Sequence, residues 1–472
     1  MFSSRLCCGL FCLTTLCISS VCWAQEEAAE PIVASTSSPE LEKHFVLPWF
    51  EIFLQQAGAN LGGRILQKDY AQTSPKTAWT NLKRSWVVDS DAFLTNQLGH
   101  PYQGALYFTA ARSSNLGFWW SSFYTTMGSV TWEYFGENVP PSINDQFTTT
   151  IGGVLVGEMM HRIAQAALSR GNSWQRQVFA TLINPMSTVN RHVFDIEHMT
   201  PVSPAVFGDI HLGYSYFREN ESPTDASAPE DRSVNANLLN VGLEIQYGVP
   251  RFREEGRWIE PLENFHGYMD AGISPEEIFA NIFVHGALAG YRYQAGPVRA
   301  LAGFYNTFDF FSLEELRFGS VGAGFGGSAY MPFGAKNFVQ FSAISSFVPV
   351  GASGAIVGDA DERYNFGMGA SQTLELKLGR EDLGAITLSS RTIGLGLGEE
   401  GDGFMSRNAI SMRTSVWERH GLGLDLISWI SSVEDEQGRE LDEQTGGLQA
   451  KLLYTYLWDT SFGYISDADI DD

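Results

Sequence analysis

The strongest constraint on the fold is a two-residue alternation that runs through the C-terminal part of the sequence. In "RYNFGMGASQTLELKLG", residues 363–379, the even positions from Tyr364 to Leu378 are apolar except Gln372. The odd positions carry Asn, Gly, Ser, Thr, Glu and Lys. "NANLLNVGLEIQYG" and "RNAISMRTSVWE" alternate in the same way. Because successive residues of a strand face opposite sides, each segment predicts a strand with one apolar face and one small or polar face, as in transmembrane barrels.

About twelve such segments follow one another, and most span roughly 10 to 16 residues, enough for a tilted membrane crossing of about 9–11 residues. Strands of soluble sheets average only about 5–6 residues. The connectors alternate loosely between short ones such as "QAGP" and long acidic ones such as "SSVEDEQGRELDEQTG". The segments begin near Phe207, Asn235, Phe265, Phe279, Val298, Arg317, Asn337, Arg363, Leu383, Arg407, Gly421 and Gly446.

We therefore predict an α+β protein, with an N-terminal periplasmic helical domain followed by an antiparallel transmembrane β-barrel of about 12 strands. An even strand number would place both barrel ends on the periplasmic side. A large soluble β-sandwich or a soluble barrel is the alternative. The last strand ends at Trp458 or extends through Tyr464, and the acidic tail that follows departs from the terminal aromatic residue common in outer-membrane barrels.

The N-terminus predicts export to the cell outer membrane. Residues 1–24 have Arg5, an apolar run and a small-x-small end, the layout of a secretory signal peptide. All five cysteines lie inside this segment, so the mature chain would lack disulfides, thiol catalysis and cysteine metal sites. Neither Cys17 nor Cys22 follows a small residue, which argues against a lipid anchor. The organisation predicted downstream is a disordered leader at 25–40, a helical plug or periplasmic cap at 41–195, the barrel at 196–460 and an acidic tail at 461–472.

The charge balance limits the partners. The net charge is −24, and removal of the predicted signal peptide takes away Arg5 alone and leaves −25. Such an acidic chain is a poor ligand for nucleic acid, so we predict none as a partner. The expected partners are outer-membrane lipid and lipopolysaccharide and the barrel-assembly machinery. No motif calls for a cofactor or a metal.

The N-terminal region contains residues typical of helix N-caps and helix C-termini. "VLPWFEIFLQQAGANLGG" predicts a short helix ended by Gly62 and Gly63, and "NSWQRQVFATLINP" predicts one ended by Pro185. Ser142 is the predicted N-cap of a long helix, with Asp145 in the acidic position of a capping box. Gly153 and Gly157, four residues apart, predict close packing against a second helix, in a hairpin whose other arm carries Trp119 and Trp120.

Five polar side chains of this region form the candidate catalytic cluster: His100, Glu133, Asp145, Glu158 and His161. Glu158 and His161 share a helix face as E-x-x-H, but di-iron bundles need two copies of that motif and only one is present. An i,i+4 pair of Glu158 with Arg162 is the simpler interpretation. Glu133 and Glu137 are simply explained as exposed helix acids, and His100 as a capping or packing residue of a tight turn.

Three stretches carry a resemblance to a known family: "NQLGHPYQGALYFTAAR", "GSVTWEYFGENVPPSINDQFTTTIGGVLVGE" and "NPMSTVNRHVFD". Residues 86–195 resemble the uncharacterised bacterial family known as domain of unknown function thirty-nine forty-three. The resemblance implies an exported protein of Gram-negative bacteria with a helical segment before β-rich sequence. It implies no activity and no catalytic residues.

The sequence thus favours a non-enzymatic outer-membrane barrel with a helical plug or cap, in a channel or envelope-structural role. The alternative is a membrane-embedded enzyme that acts on lipid or lipopolysaccharide through the helical polar cluster. An enzyme needs at least two of those groups within hydrogen-bond reach and facing a cleft. A plug needs them paired with backbone ends and with arginines such as Arg112, Arg162 or Arg191.

Overall fold

The structure is a computed structural model. It describes residues 41–88, 92–171, 173–196, 206–221, 232–248, 258–274, 278–313, 316–355, 365–396, 402–433 and 445–464. The predicted signal peptide, the predicted leader and residues 465–472 of the predicted tail lie outside these ranges.

Residues 206–457 form a closed barrel of twelve antiparallel strands, in which each strand pairs with its sequence neighbours and β1 closes the ring with β12. This confirms the predicted fold class. Every predicted segment start lies within five residues of an observed strand start, and β12 ends next to Trp458. The strands are β1 Val206–Glu221, β2 Arg232–Tyr247, β3 Phe265–Ile273, β4 Ile278–Ala295, β5 Val298–Leu313, β6 Leu316–Phe333, β7 Asn337–Ala355, β8 Asn365–Arg380, β9 Gly384–Gly396, β10 Asp402–Trp417, β11 His420–Val433 and β12 Thr445–Leu457.

The two faces of the barrel wall differ sharply in polarity. In β12, Lys451 is fully buried and pairs with Asp270 across the barrel, whereas its neighbour Leu452 faces outward and is 64% exposed. In the same register, Leu424 of β11 lies opposite Leu452 on the outer wall. Because side chains alternate along a strand, the apolar side chains face the outside of the barrel and the polar side chains face the lumen. Exposed apolar side chains of the outer wall include Leu212, Leu239, Phe325, Phe341, Leu388, Ile410, Met412, Leu422, Leu426 and Leu448.

The helices precede the barrel. They are α1 Leu47–Ile65, α2 Pro75–Asn81, α3 His100–Ser113, α4 Phe118–Thr131, α5 Ile143–Phe147, α6 Gly153–Ser169, α7 Trp174–Ile183 and α8 Pro185–Val193, with π-helical turns at Thr95–Gly99, Trp132–Gly136 and Thr148–Gly152. Within the described residues, none of the helices is both long and apolar enough to cross a bilayer.

The predicted helix stop at Gly62 and Gly63 is wrong, whereas the predicted stop before Pro185 is confirmed. Helix α1 continues through Gly62 and Gly63 to Ile65, because Gly63 is buried where an added Cβ would lie 2.7 Å from the Cβ of Ala71. A close contact of that kind outweighs the roughly 1 kcal/mol by which glycine disfavours a helix. Helix α7 ends at Ile183, shortly before Pro185, as predicted. Pro185 also begins helix α8, since a proline at the first helical position lacks only an N–H that has no intrahelical partner there.

The chain divides into two compact units, and the division differs from the predicted boundary. Among the described residues, 92–97 group with the barrel, whereas 41–88, 98–171 and 173–195 form the helical unit. The ring of Phe93 is fully buried and lies 5.6 Å from that of Phe310. Asp309 and Phe311 face the lumen, so Phe310 and this segment lie on the outer wall of β5.

Within the helical unit, helices α3 and α6 pack backbone to backbone. A Cβ on Gly104 would lie 1.9 Å from the carbonyl oxygen of Thr149, and one on Gly153 would lie 2.6 Å from Cα of Gly104. The glycine spacing therefore does mark a close helix contact, but its partner is α3. Trp119, expected in the hairpin, is 67% exposed on α4.

Candidate functional site

In the helical unit, the structure brings His100 and Asp145 together. His100 Nε2 lies 3.6 Å from Asp145 Oδ2, and His100 Nδ1 lies 3.3 Å from Thr149 Oγ1. The predicted N-cap is present, since Ser142 Oγ accepts a hydrogen bond of 3.2 Å from the backbone N–H of Asp145. The other half of the expected capping box is supplied by Glu133, whose Oε2 accepts the backbone N–H of Ser142 at 2.7 Å.

Glu158 is bound to two arginines. Arg112 donates to both of its carboxylate oxygens at 2.7 and 3.0 Å, and Arg162 donates to Oε1 at 2.8 Å. The Glu158–Arg162 pair is the i,i+4 pair that the sequence suggested. His161 lies on the same helix and is fully buried. Glu137 is also buried and accepts a hydrogen bond from the indole of Trp132 at 2.8 Å, so it is not an exposed helix acid.

All five residues of the candidate cluster are buried, at most 4% exposed. The contacts described above for His100, Glu133, Asp145 and Glu158 are caps, ion pairs and hydrogen bonds with other residues of the helical unit. Among the described residues, no group of His, Cys, Asp and Glu is arranged to hold a metal ion. The geometry of this cluster therefore resembles a stabilised interior more than a cleft that a substrate enters.

A buried carboxyl that the sequence analysis missed lies on α1. Glu51 is 3% exposed, and neither of its carboxyl oxygens has a hydrogen bond of ordinary length. Burial raises the pKa of Glu51 from 4.5 to about 8, and nearby Asn190 offsets part of that rise. A carboxyl in this setting is neutral at pH 7.

The second and larger polar site is the lumen of the barrel. Arg413 of β10 is the centre of its ion-pair network and donates to Asp209 at 3.0 Å and to Asp425 at 2.5 Å. Asp209 in turn lies 2.8 Å from Nδ1 of His211. Buried charges of this kind are tolerated only where each has an opposite charge or a hydrogen-bond partner.

The network continues on both sides of this centre. Asp270 of β3 forms an ion pair with Lys451 of β12 and lies 3.6 Å from Nε2 of His211. On the other side, His266 lies between two carboxylates, 3.2 Å from Glu244 and 3.1 Å from Glu375. These groups belong to strands far apart in sequence, so the closed barrel alone brings them together.

An apolar layer crosses the lumen near the end where β1 and β11 finish. The rings of Phe217 and Trp429 stack at 5.0 Å and 10°, and Phe311 lies 6.1 Å from Trp429. The layer consists of Phe217, Leu238, Phe279, Phe311, Phe318, Met405, Ala409, Ile427 and Trp429.

The lumen is largely filled by these side chains. Two cavities in it measure about 20 Å³ each, room for about one water molecule. One is lined by His266, His285 and Tyr305 among others, and the second by Arg391 and Arg407 among others.

The sequence contained a weak signal for this network. In most strands, the charged and small residues occupy one alternate face, as they do at Asp209, His211 and Ser215 of β1. That pattern identifies lumen positions in general. It does not reveal that Lys451 meets Asp270, because no sequence pattern relates residues 181 positions apart.

A closed antiparallel barrel with an apolar outer wall, aromatic residues near its rims and a charged lumen is the architecture of outer-membrane β-barrel proteins. Phe404 lies on the outer wall near one rim, and Trp417 and Tyr454 lie near the other, all three exposed. The chain is a barrel of this class with an N-terminal helical unit.

Residues 85–186 match the family model of a domain of unknown function (DUF3943), which confirms the resemblance seen in the sequence. The match lies in the helical part of the chain. No curated protein matches the sequence.

Solved structures that are similar to this chain include outer-membrane proteins of three bacteria. The outer membrane channel DcaP of Acinetobacter baumannii is 10% identical over 53% of this chain and 96% of its own, with a TM-score of 0.23. The toluene transporter TodX of Pseudomonas putida is 10% identical over 54% and 90%, with a TM-score of 0.22. OmpT of Vibrio cholerae is 7% identical over 54% and 98%, with a TM-score of 0.20.

Proposed function

We propose that this protein is an outer-membrane channel held closed in the conformation described, with the helical unit as its plug or cap. The observation that carries the proposal is the charged lumen inside an apolar wall. A barrel that served only as a structural element would be at least as stable with an apolar interior, because replacing buried ion pairs by packed apolar residues is often neutral or stabilising by about 1–4 kcal/mol. A water-filled path requires polar walls.

The apolar layer around Trp429 is the proposed gate. Apolar constrictions close channels by expelling water, and this layer crosses a lumen that is otherwise polar. The ion pairs of Arg413 with Asp209 and of Lys451 with Asp270 lie in the same lumen and connect strands that are not neighbours in the barrel wall. Opening would require the aromatic stack of Phe217 and Trp429 to separate and water to enter among the ion pairs.

The test is single-channel recording in planar bilayers with the full-length protein and two matched tryptophan variants. Trp429→Ala removes a side chain of the lumen layer, and Trp417→Ala removes one that is 66% exposed on the outer wall. We expect the wild type and Trp417→Ala to be silent or rarely open, and Trp429→Ala to show frequent unitary steps. Equal silence of all three proteins, with folding confirmed by heat-dependent migration in SDS gels, would refute the gate.

A second recording addresses the plug. Removal of residues 41–89 and 98–195 from the full-length protein, which keeps the segment that groups with the barrel, should increase the open probability if the helical unit closes the channel. An unchanged open probability in this variant, together with opening of Trp429→Ala, would retain the channel and reject the plug.

An enzyme that acts on lipid or lipopolysaccharide is the second candidate. The contact of His100 with both Asp145 and Thr149 is the specific observation in its favour. A carboxylate that contacts an imidazole, which in turn contacts a hydroxyl, can activate the hydroxyl as a nucleophile. These groups are at most 4% exposed, so the candidate also requires the helical unit to open. Hydrolysis of radiolabelled outer-membrane lipid by the wild type but not by His100→Ala would establish it.

The proposed setting is the outer membrane of a Gram-negative bacterium, reached through the predicted signal peptide. Outer-membrane lipid and lipopolysaccharide would contact the apolar wall, and the barrel-assembly machinery would insert it. The exposed apolar side chains at alternating positions, such as Leu212, Leu452 and Phe325, support this setting.

A further inference from the structure

The lumen contains a cavity whose wall includes two arginines and hydrogen-bond donors that have no partner in the described structure. It measures about 20 Å³ and lies below the apolar layer, with Arg391, Arg407 and Asn281 on its wall. Phe283 and Phe311 also line it. Each of the three polar side chains is more than nine-tenths buried.

Arg407 has no carboxylate partner within the described part of the chain. Its guanidinium instead lies 5.8 Å from the ring of Tyr268 and 6.0 Å from that of Phe283. The carboxylates that attract Arg407 electrostatically are Asp270 and Asp425. Asp270 forms an ion pair with Lys451, and Asp425 forms one with Arg413.

Two further donors at the cavity are unused. Nη1 of Arg391 and Nδ2 of Asn281 are buried and have no hydrogen-bond partner in the described structure. The carboxylate of Asp309 lines the same cavity, but it is bound by Arg391 and accepts a hydrogen bond of 3.0 Å from Ser320. The groups on the cavity wall therefore carry one positive charge in excess.

We propose that this cavity binds a small monovalent anion of about the size of chloride. A buried guanidinium without a counter-ion is strongly destabilised, and an anion would neutralise it while it accepts hydrogen bonds from Arg391 and Asn281. Water could accept the same hydrogen bonds but would not balance the charge. The volume admits about one water-sized particle, which excludes sulfate, phosphate and organic carboxylates.

The aromatic wall favours the site further. Phe283, Phe311 and Phe318 separate it from bulk water, so the attraction between the arginines and an anion is screened less than it would be at the surface. The binding of an anion does not depend on conduction, and the proposal stands or fails separately from the channel.

The experiment is refolding of the full-length protein in detergent with increasing bromide, at constant ionic strength balanced by gluconate, which is too large for the cavity. The readout is the temperature at which the barrel loses its fast migration in SDS gels. We expect a saturable rise of this temperature with bromide for the wild type. Arg380→Met, a matched control at an exposed strand end, should give the same curve.

Arg407→Met should abolish the rise or weaken the apparent affinity by about tenfold or more, the loss typical of a removed charge-assisted hydrogen bond. Arg407→Lys, which keeps the charge, should retain part of it. Should Arg407→Met fail to form the barrel, Asn281→Leu, which retains both arginines, replaces it with the same expected loss. The absence of a saturable bromide effect in the wild type, or an unchanged effect in the folded variant, would overturn the proposal.

Discussion

Glu51 gives the sharpest quantitative prediction. Its carboxyl is buried on helix α1, and its pKa is raised from 4.5 to about 8 by that burial. The folded state therefore keeps a proton that the unfolded chain releases above pH 4.5. The stabilisation that this proton provides is complete below pH 4.5 and is lost progressively as the pH rises to about 8.

The magnitude follows from the two pKa values. Each pH unit between 4.5 and 8 corresponds to 1.36 kcal/mol, so the helical unit should lose about 5 kcal/mol of unfolding free energy across the whole interval. At pH 7 the loss is about 3 kcal/mol by the same conversion. Glu51→Gln has no proton to lose, so it should be as stable as the wild type near pH 4 and about 3 kcal/mol more stable at pH 7.

Pulse proteolysis in urea measures this difference on the full-length protein, since cleavage of the helical unit leaves the barrel as a separate band. The control is Glu42→Gln, which changes an exposed glutamate a short distance along the chain and should follow the wild type at every pH. Parallel pH curves for Glu51→Gln and the wild type would refute the reasoning, because they would show that Glu51 is ionised in the folded state.

Three further predictions concern packing, the ion pairs and the outer wall. In urea unfolding, Gly104→Ala should destabilise the helical unit by about 2 kcal/mol or more, since its Cβ would lie 1.9 Å from a facing carbonyl oxygen. Gly58→Ala should stabilise the unit by about 0.5–1 kcal/mol in the same assay, because its Cβ would have no neighbouring atom within 4 Å. Glu158→Gln should cost about 3 kcal/mol in the same assay, because two arginines lose a buried carboxylate, and a cost near zero would show that the pairs are solvated. Leu452→Arg on the outer wall should cost about 2–4 kcal/mol of barrel stability and lower the temperature at which the barrel loses its fast migration in SDS gels. Leu383→Arg in the β8–β9 turn should leave that temperature unchanged. Equal effects of the two substitutions would contradict a lipid-facing wall.

The sequence by itself determined the barrel. Alternation in twelve segments is a local property, and it records which face of each strand meets an apolar surrounding, so the strand number and the strand starts could be deduced without the fold. The Ser142 cap and the Glu158–Arg162 pair are also local, since each joins residues within one helical turn. For the same reason they were open to prediction.

Tertiary structure alone decided the rest. Whether Gly62 and Gly63 end a helix depended on the space beside Ala71, and the partner of Gly153 proved to be Gly104 rather than the preceding arm. The lumen site lies further beyond local inference, because Arg391, Arg407 and Asn281 meet only after the ring of strands has closed. The period of two assigns a side chain to a face, but the registry of distant strands decides which charge it meets. That registry follows from barrel closure, which couples all twelve strands at once.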